Sequence, residues 1–510
     1  MNRRKFLKNF ASLAGLGWAA CQPSAPSAFP FPVYNSKEHR VGHLLRQGST
    51  WPRLAAKKTD FLIIGGGLAG LTAAYSLKNE DFILCELGQD FGGTASAQFH
   101  GTISLCQGAH YDLSYPDYFG EEVLGLLRGL NIIHKKGAIW QFKDTQYLIQ
   151  AEQEEQCLAN AQYREGVLPD TKASRDFFAH TDAYVGQLCL PSRLTPAALL
   201  PLSRQSFATY LAQNHLAAPS EIRRGIDYQM RDDYGAPAAQ VSALAGLYYY
   251  ASRAWENEEY QIFSPPEGNY YFSKRFLSHL PPAALHSAHL VYQIAPRKKG
   301  FTVLALDISQ QACLEIETQA IVYAAPKYTL PYVFPADAPL FKTVEYAPWA
   351  VVNLIFPNNA LSATAFWQNE TLHRTPSAYL GFVDSASQHQ SPQKRVLTAY
   401  FNFAPRQRPQ LLEWAENPQM LVKEALREIA HYFDVSSSEL IRQTKAAFVK
   451  IMGHAMPIAA PGYLCQDQNP ARSHPRLVYA GVDNGRLPLL LEALDSGLEA
   501  VKQLRSTGLG

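Results

Sequence analysis

The sequence lacks the residue patterns of a metal centre, a disulfide framework or a repeat protein. Its 7 cysteines are scattered, with no CxxC pair, so neither a metal site nor a set of disulfides is predicted. The net charge is only +2, and this balance gives no indication of nucleic-acid binding. With 510 residues, of which 47% are hydrophobic and 18% charged, the chain predicts a folded protein of about two domains.

The N-terminus is basic at first and then weakly apolar. The run Arg3-Arg4-Lys5-Phe6-Leu7-Lys8 resembles a twin-arginine export signal, although Asn2 stands where Ser or Thr is usual. The Gly/Ala-rich stretch that follows is too short to span a bilayer. The resemblance implies export by the twin-arginine machinery to the bacterial periplasm, or to the outer side of the inner membrane. A plain basic tail is the alternative.

The end of this segment also resembles a lipoprotein processing site. It reads Ala19-Ala20-Cys21, which would attach a lipid to the cysteine. Trp18 occupies the position where Leu is usual, so membrane attachment through Cys21 stays open.

A dinucleotide-binding pattern begins at Thr59. An apolar strand is followed by a glycine turn, a helix that opens at Leu68 and Ala69, and a second strand that ends in an acidic residue. Gly65, Gly67 and Gly70 fill the three glycine positions of the fingerprint. They allow a tight turn, close approach of the backbone to a pyrophosphate, and close packing of helix on strand. A glycine-rich turn in an unrelated α/β protein is the alternative.

The acidic residue of this pattern is Glu86, where a carboxylate can accept hydrogen bonds from both ribose hydroxyls. A second glycine pair follows at Gly92 and Gly93, with Thr94 after it. This Glu-x5-Gly-Gly arrangement resembles the flavin-containing amine oxidase superfamily, which includes phytoene desaturases and protoporphyrinogen oxidases. The resemblance implies that the glycine pair packs against the pyrophosphate of FAD. No cysteine lies where covalent attachment is expected, so the FAD is predicted to be noncovalent.

Two later segments extend the resemblance. The strand His289–Ile294 resembles the one in which the backbone of a valine, here Val291, pairs with the adenine. The closing segment resembles the flavin motif, with Gly481 after a strand, Asp483 near the ribityl chain, and the backbone N–H of Leu490 facing flavin O2. The strands of residues 301–326 are predicted to be antiparallel.

The fold class implied is α/β, with a discontinuous Rossmann-type FAD-binding domain and an interleaved α+β substrate-binding domain. The implied divisions are a signal at 1–21, a tether and lead-in at 22–58, the FAD-binding domain at 59–115, 285–335 and 471–510, and the substrate domain at 116–284 and 336–470.

Candidate catalytic residues lie in two places. Asp232, Asp233 and Tyr234 precede an aromatic tract, and they could supply a carboxylate for an ammonium group and walls for its carbon chain. The alternative is an acidic pair at a helix N-cap followed by core aromatics. His454 lies shortly before the closing motif and could act as an acid–base group at the flavin, or could be a structural histidine.

Two departures from the amine oxidases leave the small-molecule substrate open. The strand from Trp349 to Phe356 lacks the usual lysine, and Leu489 stands where a tyrosine is usual. The resemblance implies hydride transfer from a substrate carbon to flavin N5, with oxygen or a quinone as the final acceptor. Oxidation of an amine or polyamine and dehydrogenation of an apolar C–C bond both remain, as does a noncatalytic FAD-bound subunit.

Overall fold

The computed structural model describes residues 28–48, 50–109, 119–137, 139–149, 154–216, 219–252, 261–361, 366–388, 393–465 and 472–508. The predicted export signal and Cys21 lie outside these residues. Within them, no helix is both long and apolar enough to cross a membrane.

The strands are numbered in chain order: β1 Val33–Asn35, β2 Arg53–Ile64, β3 Phe82–Cys85, β4 Ala97–His100, β5 Ile103–Cys106, β6 Ile133–Lys136, β7 Ile139–Phe142, β8 Glu155–Ala159, β9 Gln162–Arg164, β10 Leu285–His286, β11 His289–Pro296, β12 Phe301–Asp307, β13 Ala312–Tyr323, β14 Tyr346–Pro357, β15 Gln368–Leu372, β16 Tyr379–Asp384, β17 Lys394–Asn402, β18 Ala446–Pro457 and β19 Leu477–Tyr479.

The α-helices are numbered in the same way: α1 Glu38–Gly42, α2 Leu68–Ser76, α3 Glu121–Gly129, α4 Lys172–Asp182, α5 Phe207–Gln213, α6 Ser220–Tyr234, α7 Ala243–Ala251, α8 Tyr270–Leu277, α9 Leu330–Val333, α10 Arg408–Glu416, α11 Gln419–Tyr432, α12 Ser437–Gln443 and α13 Leu490–Arg505.

The first large sheet contains the strands of the predicted dinucleotide-binding pattern, and we call it the dinucleotide-binding sheet. Its order is β10-β3-β2-β13-β12-β11, and β19 pairs with β13. The pairs β2–β3, β2–β13 and β13–β19 are parallel, and the ends of these strands are buried apolar runs, as expected for strands covered on both faces. The predicted antiparallel pairing of β12 with β13 is confirmed.

Helices α2 and α13 pack together beside this sheet. A side chain at Gly497 of α13 would overlap the carbonyl oxygen of Ala69 in α2, so glycine permits the close approach. Helix α2 is rich in Ala and Leu, which favour helix, and most of its residues are buried. The packing holds the N-termini of both helices beside the sheet.

The second large sheet has the order β1-β18-β14-β17-β16-β15-β8-β9. One face packs against α10, α11 and α12 through residues such as Val352, Leu397 and Ile429. The other face carries Trp349 and Val351 and packs with residues of α6 such as Tyr228. Two faces with separate hydrophobic clusters are what an alternating strand pattern produces.

The predicted lead-in at 22–58 contains regular structure from residue 33 onward. Strand β1 joins the second sheet beside β18, and β2 begins at Arg53, before the predicted start of the dinucleotide pattern. The chain therefore contacts both sheets before it reaches the first glycine turn.

Candidate functional site

The cofactor motifs meet at one edge of the dinucleotide-binding sheet. Gly65, Glu86, Ala324 and Ala480 directly follow β2, β3, β13 and β19. Because these strands are parallel, their carboxyl ends lie at the same edge, where α/β sheets bind ligands. Segments far apart in the sequence thus form one candidate site.

The three glycines of the fingerprint have different surroundings. Gly65 has φ +102°, and a Cβ there would lie 2.7 Å from the backbone nitrogen of Ala325. A Cβ on Gly70 would overlap the carbonyl oxygen of Gly65. At Gly67, by contrast, the nearest atom to an added Cβ is the carbonyl oxygen of Gly92, 3.9 Å away. Gly65 and Gly70 therefore serve packing, whereas the space beside Gly67 is open to a ligand.

The second glycine pair lies directly against the first turn. The N–H of Gly92 donates to the carbonyl of Gly66 at 2.8 Å, and a Cβ on Gly93 would lie 3.3 Å from the Cα of Gly67. Gly93 and Thr94 are nevertheless exposed. Exposed backbone between two buried elements is the arrangement expected of a cradle for a ligand.

Glu86 lies at the end of the predicted ribose-binding strand. Its carboxylate accepts from the N–H of Gly66 at 2.6 Å and of Gly88 at 2.7 Å. Burial raises the pKa of Glu86, and the two N–H groups partly offset that effect. Each carboxylate oxygen has further lone pairs, so hydrogen bonds from ribose hydroxyls are still available.

The predicted adenine strand begins beside Glu86. The N–H of His289 donates to the carbonyl of Glu86 at 2.7 Å, and the N–H of Glu86 donates to the carbonyl of His286 at 2.8 Å. Val291, two residues further along β11, is buried. The structure therefore brings Val291 into the neighbourhood of Glu86, although these residues are far apart in the sequence.

The closing motif forms as predicted, but Asp483 has protein partners. Helix α13 begins at Leu490, with Leu489 as its N-cap. The Asp483 carboxylate accepts from Lys327 Nζ at 2.6 Å, from the Lys327 backbone N–H at 2.8 Å, and from Tyr346 Oη at 2.9 Å. Gly481, nearby, has φ +124°. Three of the roughly four acceptor sites of this carboxylate are thus taken by protein groups, and the ribityl contact of Asp483 stays a prediction.

The acidic pair of the sequence analysis lies in the last turn of α6. Asp232, Asp233 and Tyr234 end that helix, whereas Ser242 caps the aromatic helix α7 by accepting from the N–H of Ala245. The alternative that the pair is a helix N-cap is therefore wrong.

The aromatic residues of this tract are mainly core. Tyr234, Tyr248 and Tyr250 are buried in the cluster that packs around α6 and α7. The hydroxyl of Tyr250 donates to Gln229 at 2.5 Å. These contacts favour the core interpretation of Tyr234 over a wall of the substrate site.

Asp232 belongs to a cluster of three carboxyls, with Glu155 and Glu370, that the sequence did not indicate. We call it the carboxyl cluster. Burial raises the pKa of Glu370 well above its usual range, and Glu155 and Asp232 raise it further by like-charge repulsion. Glu155 and Glu370 lie on the neighbouring parallel strands β8 and β15. Asp233 is one residue further along α6, so its side chain projects about 100° away around the helix.

The carboxyl cluster lies at the face of the second sheet that is turned away from α11. The registers align Lys450, Val351, Tyr400, Gly381 and Glu370 in one row across five strands. Four steps of about 4.8 Å make this row about 19 Å long. Tyr400 is only half-buried although β17 is in the middle of the sheet, so this face borders an opening.

His454 lies in an aromatic group near the start of β14. Its ring stacks on Tyr328 with centroids 4.2 Å apart and meets Tyr346 edge-on at 5.8 Å. Burial, followed by the positive charge of Arg408, lowers the pKa of His454 to about 4. The imidazole is therefore neutral at pH 7, and its role as an acid–base group stays a prediction.

No group of three or more His, Cys, Asp or Glu in the described ranges is arranged to hold a metal ion.

Comparisons with known proteins agree with this architecture. A family of NAD(P)-binding Rossmann-like domains matches residues 63–128, and no curated protein matches the chain. A variant of putrescine oxidase superposes with a TM-score of 0.64 at 15% identity, covering 89% of this chain and 100% of that one. Cyclohexylamine oxidase from Brevibacterium oxydans gives 0.59 at 15% identity, with coverages of 88% and 99%.

A protein from Exiguobacterium assigned as a protoporphyrinogen oxidase gives a TM-score of 0.58 at 13% identity, covering 88% of this chain and 99% of that one. Similarity at this level of identity establishes the fold. The chain thus has a mixed α/β fold with a Rossmann-like domain, and it shares its overall fold with putrescine oxidase and cyclohexylamine oxidase.

Proposed function

We propose that this protein is an FAD-dependent oxidoreductase whose substrate is an amine. The observation that carries the proposal is the juxtaposition of a dinucleotide cradle with a sheet face at which a buried carboxyl, Glu370, meets Glu155 and Asp232. When bound, FAD would accept a hydride from the substrate carbon. The chain's own residues would bind the cofactor, hold the amine and keep water out.

The residues at the sheet edge fit a noncovalent FAD. The open space at Gly67 and the exposed backbone of Gly93 would receive the pyrophosphate, beside the N–H groups at the start of α2, which have no partners within that helix. Glu86 would accept from the ribose hydroxyls. The N-terminus of α13 at Leu490 would present its positive dipole end to the flavin pyrimidine.

The carboxyl cluster around Glu370 supports an amine as substrate. Carboxyls that repel one another, here Glu370 with Glu155 and Asp232, are stabilised by a nearby cation, and a substrate ammonium would supply one. Glu370, only 4% exposed, lies on the same sheet face as Tyr400 and Val351, which would contact the carbon chain.

A second candidate is the dehydrogenation of an apolar C–C bond. The same sheet face carries Trp349, Val351 and Met452, and Leu489 at the N-cap of α13 adds another apolar side chain. An apolar substrate would bind this wall without using the carboxyls. A noncatalytic FAD-bound subunit is the third alternative.

The decisive experiment is anaerobic reduction of the bound flavin, which is monitored as the loss of its visible absorbance. Diamines, polyamines and monoamines would be compared with polyenes and porphyrinogens. We expect an amine to bleach the flavin rapidly in the wild-type protein and in Asp233→Asn, but slowly in Asp232→Asn. Asp233→Asn is the matched control, because it removes the same charge from the residue next to Asp232, outside the carboxyl cluster.

The other outcomes discriminate among the alternatives. Bleaching by polyenes or porphyrinogens alone would replace the amine with an apolar substrate. If dithionite reduces the flavin and no compound does, the protein is a binding subunit or an electron relay. Oxygen and a quinone would then be compared as acceptors for the reduced protein.

We also propose that the protein is exported through its N-terminal segment. The resemblance of residues 1–21 to a twin-arginine signal supports this proposal. Cell fractionation after replacing Arg3 and Arg4 with lysine would test it, and retention in the cytoplasm is expected. Cys21→Ser would release the protein from the membrane fraction if the cysteine is lipidated.

A further inference from the structure

Lys450 is a buried lysine on the sheet face that borders the cofactor cradle. It lies on β18 directly opposite Val351 of β14 and is only 9% exposed. Its ammonium donates to the hydroxyl of Ser96 at 2.8 Å. The side chain thus reaches from the second sheet to the segment that follows the second glycine pair.

This ammonium has fewer partners than a buried charge needs. It carries three N–H donors, and Ser96 accepts one of them. The nearest carboxylate oxygen in the described part of the chain, Oε2 of Glu38, is 3.6 Å away, which is beyond hydrogen-bonding distance. The Glu38 side chain is 40% exposed. Because an incompletely paired buried charge is costly, the arrangement is suited to a further anion.

The ammonium is close to the dinucleotide cradle. Ser96 comes three residues after Gly93. Gly93 is close to the first turn, since a Cβ on it would lie 3.3 Å from the Cα of Gly67. The positive charge of Lys450 also lowers the pKa of Glu86 and of Asp90, although burial outweighs it in both groups. Its field therefore extends over the glycine turns and the carboxylate predicted to bind the ribose.

In the part of the chain that the structure describes, Lys450 faces three carboxyls. Glu38, Glu86 and Asp90 all lie near it, and Thr94 after the glycine pair brings no charge. A dinucleotide adds the negative charge of its diphosphate to this region. Without a cation from outside the dinucleotide-binding sheet, the negative charge of the diphosphate would lie near three carboxyls.

We propose that Lys450 is a cofactor-binding residue that supplies positive charge to the diphosphate of the bound FAD from outside the dinucleotide-binding sheet. The inference rests on the proposed function, because it needs a bound dinucleotide. The cofactor is then held between the two sheets, with the glycine turns on one side and the ammonium on the other.

The test measures how fast the holoenzyme releases FAD after dilution, at low and at high salt. The fluorescence of the released flavin reports the rate. Lys450→Met should release FAD about tenfold faster, the effect of losing one charge-assisted contact, and should lose part of the salt dependence. Lys450→Arg should behave like the wild type.

Glu38→Gln is the variant that separates a cofactor role from a structural one. If Lys450 serves the diphosphate, removing the nearby negative charge should slow FAD release or leave it unchanged. If Lys450 only pairs with Glu38 to hold helix α1 on the second sheet, Glu38→Gln and Lys450→Met should both accelerate release equally, and the inference would be overturned. If Lys450→Met fails to fold, Glu38→Gln alone still decides, because faster FAD release in that variant would overturn the inference.

Failure of the inference can be told apart from failure of the proposed function. A wild-type protein that contains no FAD overturns both. A wild-type protein that holds FAD, together with a Lys450→Met variant that releases it at the wild-type rate, overturns the inference alone.

Discussion

Lys327 and Asp483 form a buried ion pair that joins the ends of two parallel strands. The Nζ–Oδ1 distance is 2.6 Å, and the lysine side chain is fully buried. Lys327 follows β13 and Asp483 follows β19, so the pair ties two of the cofactor motifs together. Tyr346, at the start of β14, donates to the same carboxylate and links the second sheet to them.

We expect Asp483→Asn to lower the free energy of unfolding by about 3–5 kcal/mol, because it leaves the ammonium of Lys327 buried without its counter-charge. Urea denaturation would measure the loss. The double variant Lys327→Met/Asp483→Asn should recover part of it, since no unpaired charge remains. A single variant as stable as the wild type would show that the pair is not a structural link.

Alanine at Gly67 should weaken cofactor binding, whereas alanine at Gly70 should weaken folding. Gly67→Ala meets no atom closer than 3.9 Å, so it should fold normally and bind FAD about tenfold more weakly or worse. Gly70→Ala would overlap the carbonyl of Gly65 and should lose about 1–3 kcal/mol of stability. Thermal unfolding and FAD titration would separate the two effects; normal FAD affinity in Gly67→Ala would contradict the cradle.

The stability of the fold should depend on pH through Glu370. Burial and the neighbouring carboxyls raise its pKa above the unfolded value, so the folded state holds this proton more tightly. The contribution of Glu370 to the unfolding free energy therefore falls as pH rises above about 4.3. Glu370→Gln should remove that fall, making the variant relatively more stable at pH 8 than at pH 5. Parallel pH profiles of wild type and variant would refute this assignment.

His454 should destabilise the fold in acid. Its folded pKa is lowered to about 4 by burial, whereas the unfolded value is about 6.5. The stability that it contributes is therefore complete above pH 6.5 and is lost as pH falls toward 4. His454→Phe should be less sensitive in that window when unfolding is measured at several pH values. An unchanged pH profile would place the imidazole in a more solvated environment.

The dinucleotide half of the fold was predictable because its signals are local. Gly65, Gly67 and Gly70 with the strands on either side carry the turn, the close approach and the helix packing within one short segment. The later motifs are recognisable for the same reason. Each consists of a strand and the few residues after it, and the parallel pairing brings all their ends to one edge.

The cluster of three carboxyls and the buried lysine were not predictable, because their residues meet only through strand pairing and the packing of helices on the sheet. Asp232 is indicated by its position before an aromatic tract, but Glu155 and Glu370 come together through the parallel pairing of β8 with β15, and Asp232 reaches them because α6 packs on that face. Lys450 is not indicated by the resemblance, which places a lysine on β14, because its side chain comes from the adjacent strand β18. Register across a sheet cannot be read from one strand at a time.

The most direct test of the proposed function is to identify the cofactor in the purified protein. We predict a yellow protein with a flavin absorption spectrum, and one equivalent of FAD per chain in the supernatant after acid precipitation. FAD retained in the precipitate would contradict noncovalent binding. Release of NAD or NADP with no flavin would contradict the proposal that this fold binds FAD to oxidise an amine.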